Sequence, residues 1–207
     1  MTRATFIEQV LRQIYNGQPT DDANITPNLV NVWLTSGIGL AARQNYKDNF
    51  QIEGVASVNN SFYTTFKGLA ITDDEITVYK FELPELPLGI GLADGVSRVV
   101  FKDSDNKISY PAVMLTENQV SIQRGMRTIP NKIICYTEGK FCYAVTHLLL
   151  TQLTASCTLI SGGDSTDLDS ELNVPVDYHP VIIAYIQQQL MLEKKQQQDL
   201  QNDGRDN

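Results

Sequence analysis

The chain has 207 residues, 42% of them hydrophobic, with 24 acids against 16 lysines and arginines. That is enough apolar content for one domain, or for a helical part and a sheet part sharing a core. A formal charge of -8 disfavours binding of bare nucleic acid by the whole molecule and leaves room only for local basic patches.

The start, "MTRATFIEQVLRQIY", lacks a secretory h-region and reads as an amphipathic helix from Thr2 or Thr5 to about Asn16. Phe6, Val10, Leu11 and Ile14 recur at helical spacing on one face. Gly17 stops this helix, and "GQPTDDANI" is a loop. Thr26 followed by Pro27 predicts a second helix start, running towards Tyr46. Leu29, Trp33, Leu40 and Ala41 give it an apolar side. Gly37 and Ala41 provide a small surface for close packing, while Gly37 and Gly39 predict a kink or break.

After Asn49 come short runs of aromatic and β-branched residues, "SFYTTFKGLAIT", "EITVYKFEL", "GVSRVVFKD" and "KISYPAVML", separated by turn residues. "NKIICYTEGKFCYAV" predicts a hairpin turning at Glu138, Gly139 and Lys140, and "TQLTASCTLI" a further strand. With no ladder of crossover helices in the pattern, the expected sheet is mainly antiparallel. Helix resumes at Pro180, with Val181, Ile182, Ile183, Ala184, Tyr185, Ile186 and Leu190 apolar around much of three turns; from Glu193 the chain is an almost wholly polar tail. The expected fold is α+β: N- and C-terminal helices forming a small bundle, with a central, mainly antiparallel β region. The expected divisions are residues 1–50, 51–162 and 163–207.

Chemistry is sparse. Cys135, Cys142 and Cys157 lie in apolar, strand-like surroundings and read as reduced core thiols. No C-x-x-C or H-E-x-x-H motif accompanies His147 or His179, and no metal or cofactor is expected. His147, in "VTHLLL", is expected on a strand; five residues from Cys142, it would face the opposite side. The glycines of "ELPLGIGLADG" match no phosphate loop. Asp164, Asp167, Asp169 and Glu171 could gather oxygen ligands for a divalent cation, but "SGGDSTDLDSE" puts its glycines before its acids and lacks the calcium-loop register. A solvated or intersubunit turn, selecting a neighbour by charge, is the favoured reading of this loop. Arg124, Arg127 and Lys132 are candidates for a basic lining against passing DNA, through sequence-independent phosphate contacts in an oligomer. No membrane span is expected.

Taken together, "FIEQVLRQIYNG", "ITPNLVNVWLTSGIGLAARQNYKDN", "NSFYTTFKGLAI", "MRTIPNKIICYTEGK" and "SGGDSTDLDSELNVPVDYHPVIIAYIQQQLMLEK" resemble the small tail-ring or head-to-tail connector proteins of crAss-like phages of Bacteroidetes. More loosely, the chain is similar to portal-adjacent adaptor proteins of short-tailed phages. The resemblance implies a structural virion protein, made in the host bacterial cytoplasm, with no enzymatic role. It implies a homo-oligomeric ring, commonly of twelve, that docks to the portal and to neighbouring ring or tail proteins and continues the DNA conduit. By that resemblance Pro175, Asp177, Tyr178 and Pro180 would set the last helix at a ring interface; Trp33, Tyr185 and the acids Asp164, Asp167 and Asp169 join them as candidate subunit or portal contacts. The alternatives are a metal-dependent hydrolase or a small host-directed accessory protein using the acidic 164–171 loop.

Overall fold

The computed structural model describes residues 1–15, 25–54, 56–89, 95–103, 105, 108–125, 132–162 and 165–203, without the side chains of 122–125 and 194–203. Two helices, α1 (Arg3–Ile14) and α2 (Pro27–Glu53), lead into β1 (Tyr63–Leu69), β2 (Thr72–Glu75), β3 (Val78–Glu82), β4 (Val96–Lys102) and β5 (Ser109–Met114). Helix α3 (Glu117–Gly125) is followed by β6 (Ile133–Glu138), β7 (Phe141–Val145), β8 (Thr154–Ile160) and α4 (His179–Asp203). The chain divides into two compact units: helical, residues 1–62 and 162–207, and sheet, residues 63–161.

In the helical unit, α1 and α2 begin as the capping residues require. Thr2 Oγ1 accepts from Thr5 N, Thr26 Oγ1 accepts from Leu29 N, and Pro27 opens α2 where its missing N–H costs nothing. α2 runs to Glu53, past the expected end, and closes on Gly54, whose φ of 68° admits a left-handed cap. It is unbroken at Gly37 and Gly39. Tertiary packing overrides their weak propensity, because α4 crosses here: a Cβ on Gly37 would sit 3.0 Å from Ile182 Cγ2 and 3.3 Å from the Tyr185 ring. The buried faces meet as Phe6, Ile7 and Val10 of α1, Val30, Leu34 and Ile38 of α2, and Ile182, Ile186 and Leu190 of α4. Leu40, expected on the core side, is instead 43% exposed. The polar C-terminal stretch continues α4 to Asp203.

The sheet unit is one eight-stranded sheet in the order β1-β8-β4-β5-β6-β7-β3-β2. Every pair is antiparallel except β5 with β6. A parallel pair needs a crossover, and α3 supplies the helix of it. This helix was not expected from the sequence. Its signal is a reciprocal capping box, with Thr116 N donating to Gln119 Oε1 and Gln119 N donating to Thr116 Oγ1.

Two features curl the sheet. β1 and β2 occupy its opposite ends, yet only Ala70 and Ile71 join them, a reach of at most about 11 Å. Phe81 on β3 and Phe101 on β4 lie four strand steps apart, roughly 19 Å in a flat sheet, but their rings meet edge-on at 6.1 Å. The corner is at β5, which pairs with β4 through Ser109–Pro111 and with β6 through Ala112–Met114. Inside lie Phe81, Val99, Phe101, Ile133, Leu150 and Leu159 together with the three cysteines.

The cysteines are buried and form no disulfide. Burial pushes the Cys157 thiol up to about 12, with Cys142 adding to it. A hydrogen bond with Cys135, then burial, push Cys142 well up. His147 falls in the bend after β7, not on a strand, and is exposed while Cys142 is buried, so the two form no nucleophilic pair. At pH 8 the thiolate fraction of Cys157 is roughly three orders of magnitude below that of a free cysteine. Alkylation of the native chain, followed by mass spectrometry, is therefore expected to leave Cys157 unlabelled for as long as the sheet stays folded, and to label it promptly in denaturant.

Candidate functional site

The acidic loop is tied to the start of α1. α1 has no acid in its first turn, and its first amides need acceptors. The loop backbone provides them: Arg3 N donates to Ser170 O at 3.0 Å and Ala4 N to Leu168 O at 2.8 Å, while Leu172 N donates back to Met1 O at 2.9 Å. The Arg3 guanidinium, fully buried, completes the joint. It donates to Gly162 O at 3.0 Å, to Asn31 Oδ1 through both Nε and Nη2, and to Thr35 Oγ1 at 2.8 Å. Asn31 Nδ2 in turn donates to Ser165 O. Gly162 has a φ of 77°, and a Cβ there would meet Ile38 Cδ1 at 2.4 Å, so only glycine fits.

The acids of this loop point to solvent. Asp167 and Asp169 are exposed, as is Glu171, and Asp167 Oδ1 accepts from the Asp169 amide in a local turn. Asp164 lies outside the described residues. Among the described residues no three His, Cys, Asp or Glu side chains gather as a metal site. What the loop offers chemically is a carboxylate-bearing edge on a rigid strap.

The segment before α4 is a second joint. Pro175 precedes a 3₁₀ turn, Val176–Tyr178, which runs directly into α4. The Tyr178 hydroxyl accepts from Asn45 Nδ2 at 3.0 Å and donates to Asp48 Oδ2 at 3.2 Å, and its ring packs edge-on against Phe62. Asn45, 1% exposed, also accepts from Asn59 N. The Tyr178 hydroxyl is thus committed within the subunit, while Asp177 and Pro180 face solvent. Trp33 and Pro175 are half-buried, and half-buried Tyr185 lies across Gly37. His179 packs edge-on against Phe6 at 5.2 Å. Burial holds its pKa below the ordinary 6.5; a hydrogen bond to the Val174 backbone opposes this, and the charge of the chain's amino terminus reinforces it.

Four large apolar side chains lie outside this packing on α2: Val32 at 63% exposure, Leu40 at 43%, Phe50 at 57% and, near its C-terminal end on the opposite side, Ile52 at 82%. Eighteen residues is five helical turns, so Val32 and Phe50 share one face, about 27 Å apart, with Leu40 about 80° round the helix from their line. Exposed Ser36, Arg43 and Lys47 lie among them, so the face mixes apolar and polar side chains. Met191 and Leu192 are similarly exposed on α4. The sequence carried this stripe, but only the position of α4 reveals which of the apolar faces of α2 is left over. Of the candidate basic residues, Lys132 is exposed beside β6; the side chain of Arg124, on the last turn of α3, and the whole of Arg127 lie outside the described residues. Among the described residues, no helix is long and apolar enough to cross a membrane.

No protein-family model matches the chain, and neither does any curated protein sequence.

Arg3→Met strands buried acceptors on α2 and at Gly162, and is expected to cost on the order of 3 kcal/mol in urea unfolding; Arg3→Lys recovers little, since one ammonium cannot span the fork. For His179 the unfolded chain takes up its proton first, near pH 6.5. Stability present above that pH is therefore lost as pH falls through the lower, folded value. Unfolding curves between pH 7.5 and 5 are expected to show this loss, with a smaller slope in His179→Gln.

Proposed function

We propose that this chain is a structural virion protein, a subunit of a ring in the head-to-tail connector or tail of a tailed phage. Copies pack side by side, dock to the portal or an adjoining ring, and continue the DNA conduit. The observation that carries the reading is the exposed face of α2, where Val32, Leu40 and Phe50 alternate with Ser36, Arg43 and Lys47 on a helix otherwise packed between α1 and α4. Apolar side chains set among polar and charged ones match the composition of a non-obligate interface, which a neighbouring subunit would cover. The arrangement of terminal helices around an inserted β unit agrees with the adaptor-like resemblance. In this reading the acidic edge at Asp167 and Asp169 selects the neighbour by charge, and the mechanism is complementary packing with no catalytic step.

The magnitudes favour assembly on a template. Val32, Leu40 and Phe50 are already about half covered, so burying the rest contributes about 1 kcal/mol each, a total of about 3 kcal/mol. Association costs roughly 4–15 kcal/mol in lost freedom of motion. The row alone therefore leaves the free subunit weakly associated, and a preformed portal surface, or a second contact between copies, tips the balance.

Native mass spectrometry of the chain, with and without the portal assembly of the same phage, tests this. A discrete ring, or stoichiometric addition once portal is present, is the expected result, with twelve copies the expected number. Leu40→Asp combined with Phe50→Asp is expected to abolish that addition while leaving the circular dichroism spectrum unchanged. A chain that stays monomeric and ignores the portal overturns the proposal.

A further inference from the structure

Charge is sorted across the sheet unit. The four neighbouring strands β1, β8, β4 and β5 carry three cations, Lys67, Arg98 and Lys102, and no acid. The other four, β6, β7, β3 and β2, carry five acids, Asp73, Asp74, Glu75, Glu82 and Glu138, against the single cation Lys80. Lys80 is already committed to Asp74 in a salt bridge. In a chain of net charge -8, a four-strand surface with cations and no acids stands apart from the rest.

Alternation along the strands places these groups outside. Phe66, Val99, Phe101 and Cys157 fill the core, so Lys67, Arg98, Lys102 and Thr158 occupy the outer face. Arg98 stands opposite Thr158, whose hydroxyl is hydrogen-bonded to that of Thr65, giving the basic face a row of hydroxyl groups. Asp103 and Asp105 lie beyond it in the β4–β5 turn. On the other half, Phe81 and Cys142 face inward, and Glu82, Phe141 and Glu138 form one outward row across β3, β7 and β6. Phe141 is 38% exposed between its two carboxylates, with Lys80 Nζ 5.8 Å over its ring while that ammonium is paired with Asp74. Lys67, Arg98, Glu82 and Glu138 are all exposed, and among the described residues none of them forms a salt bridge.

The two faces point in opposite directions. The sheet turns its corner within β5, and its halves meet core to core at the Phe81–Phe101 contact. One molecule therefore presents a cationic, hydroxyl-rich wall on one side and an anionic wall with an aromatic centre on the other. Two such surfaces on opposite sides of one subunit are what a head-to-tail contact requires, and repetition of that contact closes a ring when the rotation per copy closes. A nucleic acid would meet only the basic wall and would be repelled by the rest of the molecule. A second copy matches both walls.

We infer that the outer face of β1, β8 and β4, centred on Lys67 and Arg98, docks on the outer face of β3, β7 and β6, centred on Glu82, Phe141 and Glu138, of a second copy of this chain. This rests on the ring reading and supplies the second contact that the helical row needs.

The test is a charge exchange read by native mass spectrometry and sedimentation, on the chain alone and on the portal. Reversal of one face, in K67E/R98E or in E82K/E138K, is expected to weaken association at least tenfold. Mixing these two variants, or combining all four substitutions in one chain, is expected to restore it, because each reversed face again meets its opposite. Wild-type association is expected to weaken as salt rises from 50 to 500 mM. All four positions are exposed, so the fold is expected to persist in each variant. If both single-face variants assemble as the wild type does, this pairing is wrong while the ring reading stands. If the chain associates neither alone nor on the portal, the ring reading fails and takes the pairing with it. If K67E/R98E assembles normally but loses retention of duplex DNA, the basic wall serves nucleic acid, and the inference is overturned in favour of that ligand.

Discussion

The helical unit depends on one buried guanidinium. Arg3 belongs to α1, its acceptors Asn31 and Thr35 belong to α2, and its acceptor Gly162 is the first residue of the returning chain. A charged group without water is tolerated only where several acceptors surround it. Satisfying Arg3 therefore fixes three separate pieces of chain at once. With Gly162 held against Ile38, the following strap must run past the start of α1, where its carbonyls take up the first amides of that helix. The acidic loop is positioned by its backbone, and the described carboxylates Asp167, Asp169 and Glu171 are left outside as surface.

The same constraint prepares the far end of the unit. Tyr178, held by Asn45 and Asp48, directs the chain into α4, and α4 lies close on α2 only because Gly37 has no side chain to keep Ile182 and Tyr185 away. Once α1 and α4 have taken their sides of α2, the remaining face carries Val32, Leu40 and Phe50. Their exposure is thus a consequence of two internal joints: these side chains project from a helix whose position is determined elsewhere.

The sheet unit reaches an outward-looking surface by a different route. A two-residue link between its terminal strands forces the sheet to curl, and the curl turns a charge difference between strands into two opposed walls. Three buried thiols are enclosed in its core. In the helical unit the buried polar groups Arg3 and Asn45 are taken up by internal joints, and the described acids of the strap, Asp167, Asp169 and Glu171, stay exposed.

Much of this was determined by sequence alone, wherever the cause is local. Thr2 and Thr26 with Pro27 mark helix starts because a capping oxygen serves amides three residues away. The period-two runs mark the strands, and Glu138–Lys140 marks a hairpin. The α+β plan of terminal helices around a mainly antiparallel sheet followed from these. The capping box at Thr116 and Gln119 is equally local, and it marks α3 in the sequence as plainly as Thr26 and Pro27 mark α2. Other features lie on pairs of residues distant in the chain, and no spacing rule reports them: the unbroken passage of α2 through Gly37 and Gly39, the burial of Arg3, the exposure of Leu40. The candidate contacts divide in the same way. Asp167 and Asp169 were legible as a solvated turn and are exposed, whereas the internal hydrogen bonds of Tyr178 and the outward placement of Lys67 and Arg98 had no signal in the spacing. A charge on a strand has no meaning until the strand order is known, because the sheet brings β1 beside β8 and sets β4 four steps from β3. Sequence determined which segments form which elements; tertiary structure decided which of their faces are left for a partner, because a face is exposed only after every other element has chosen its side.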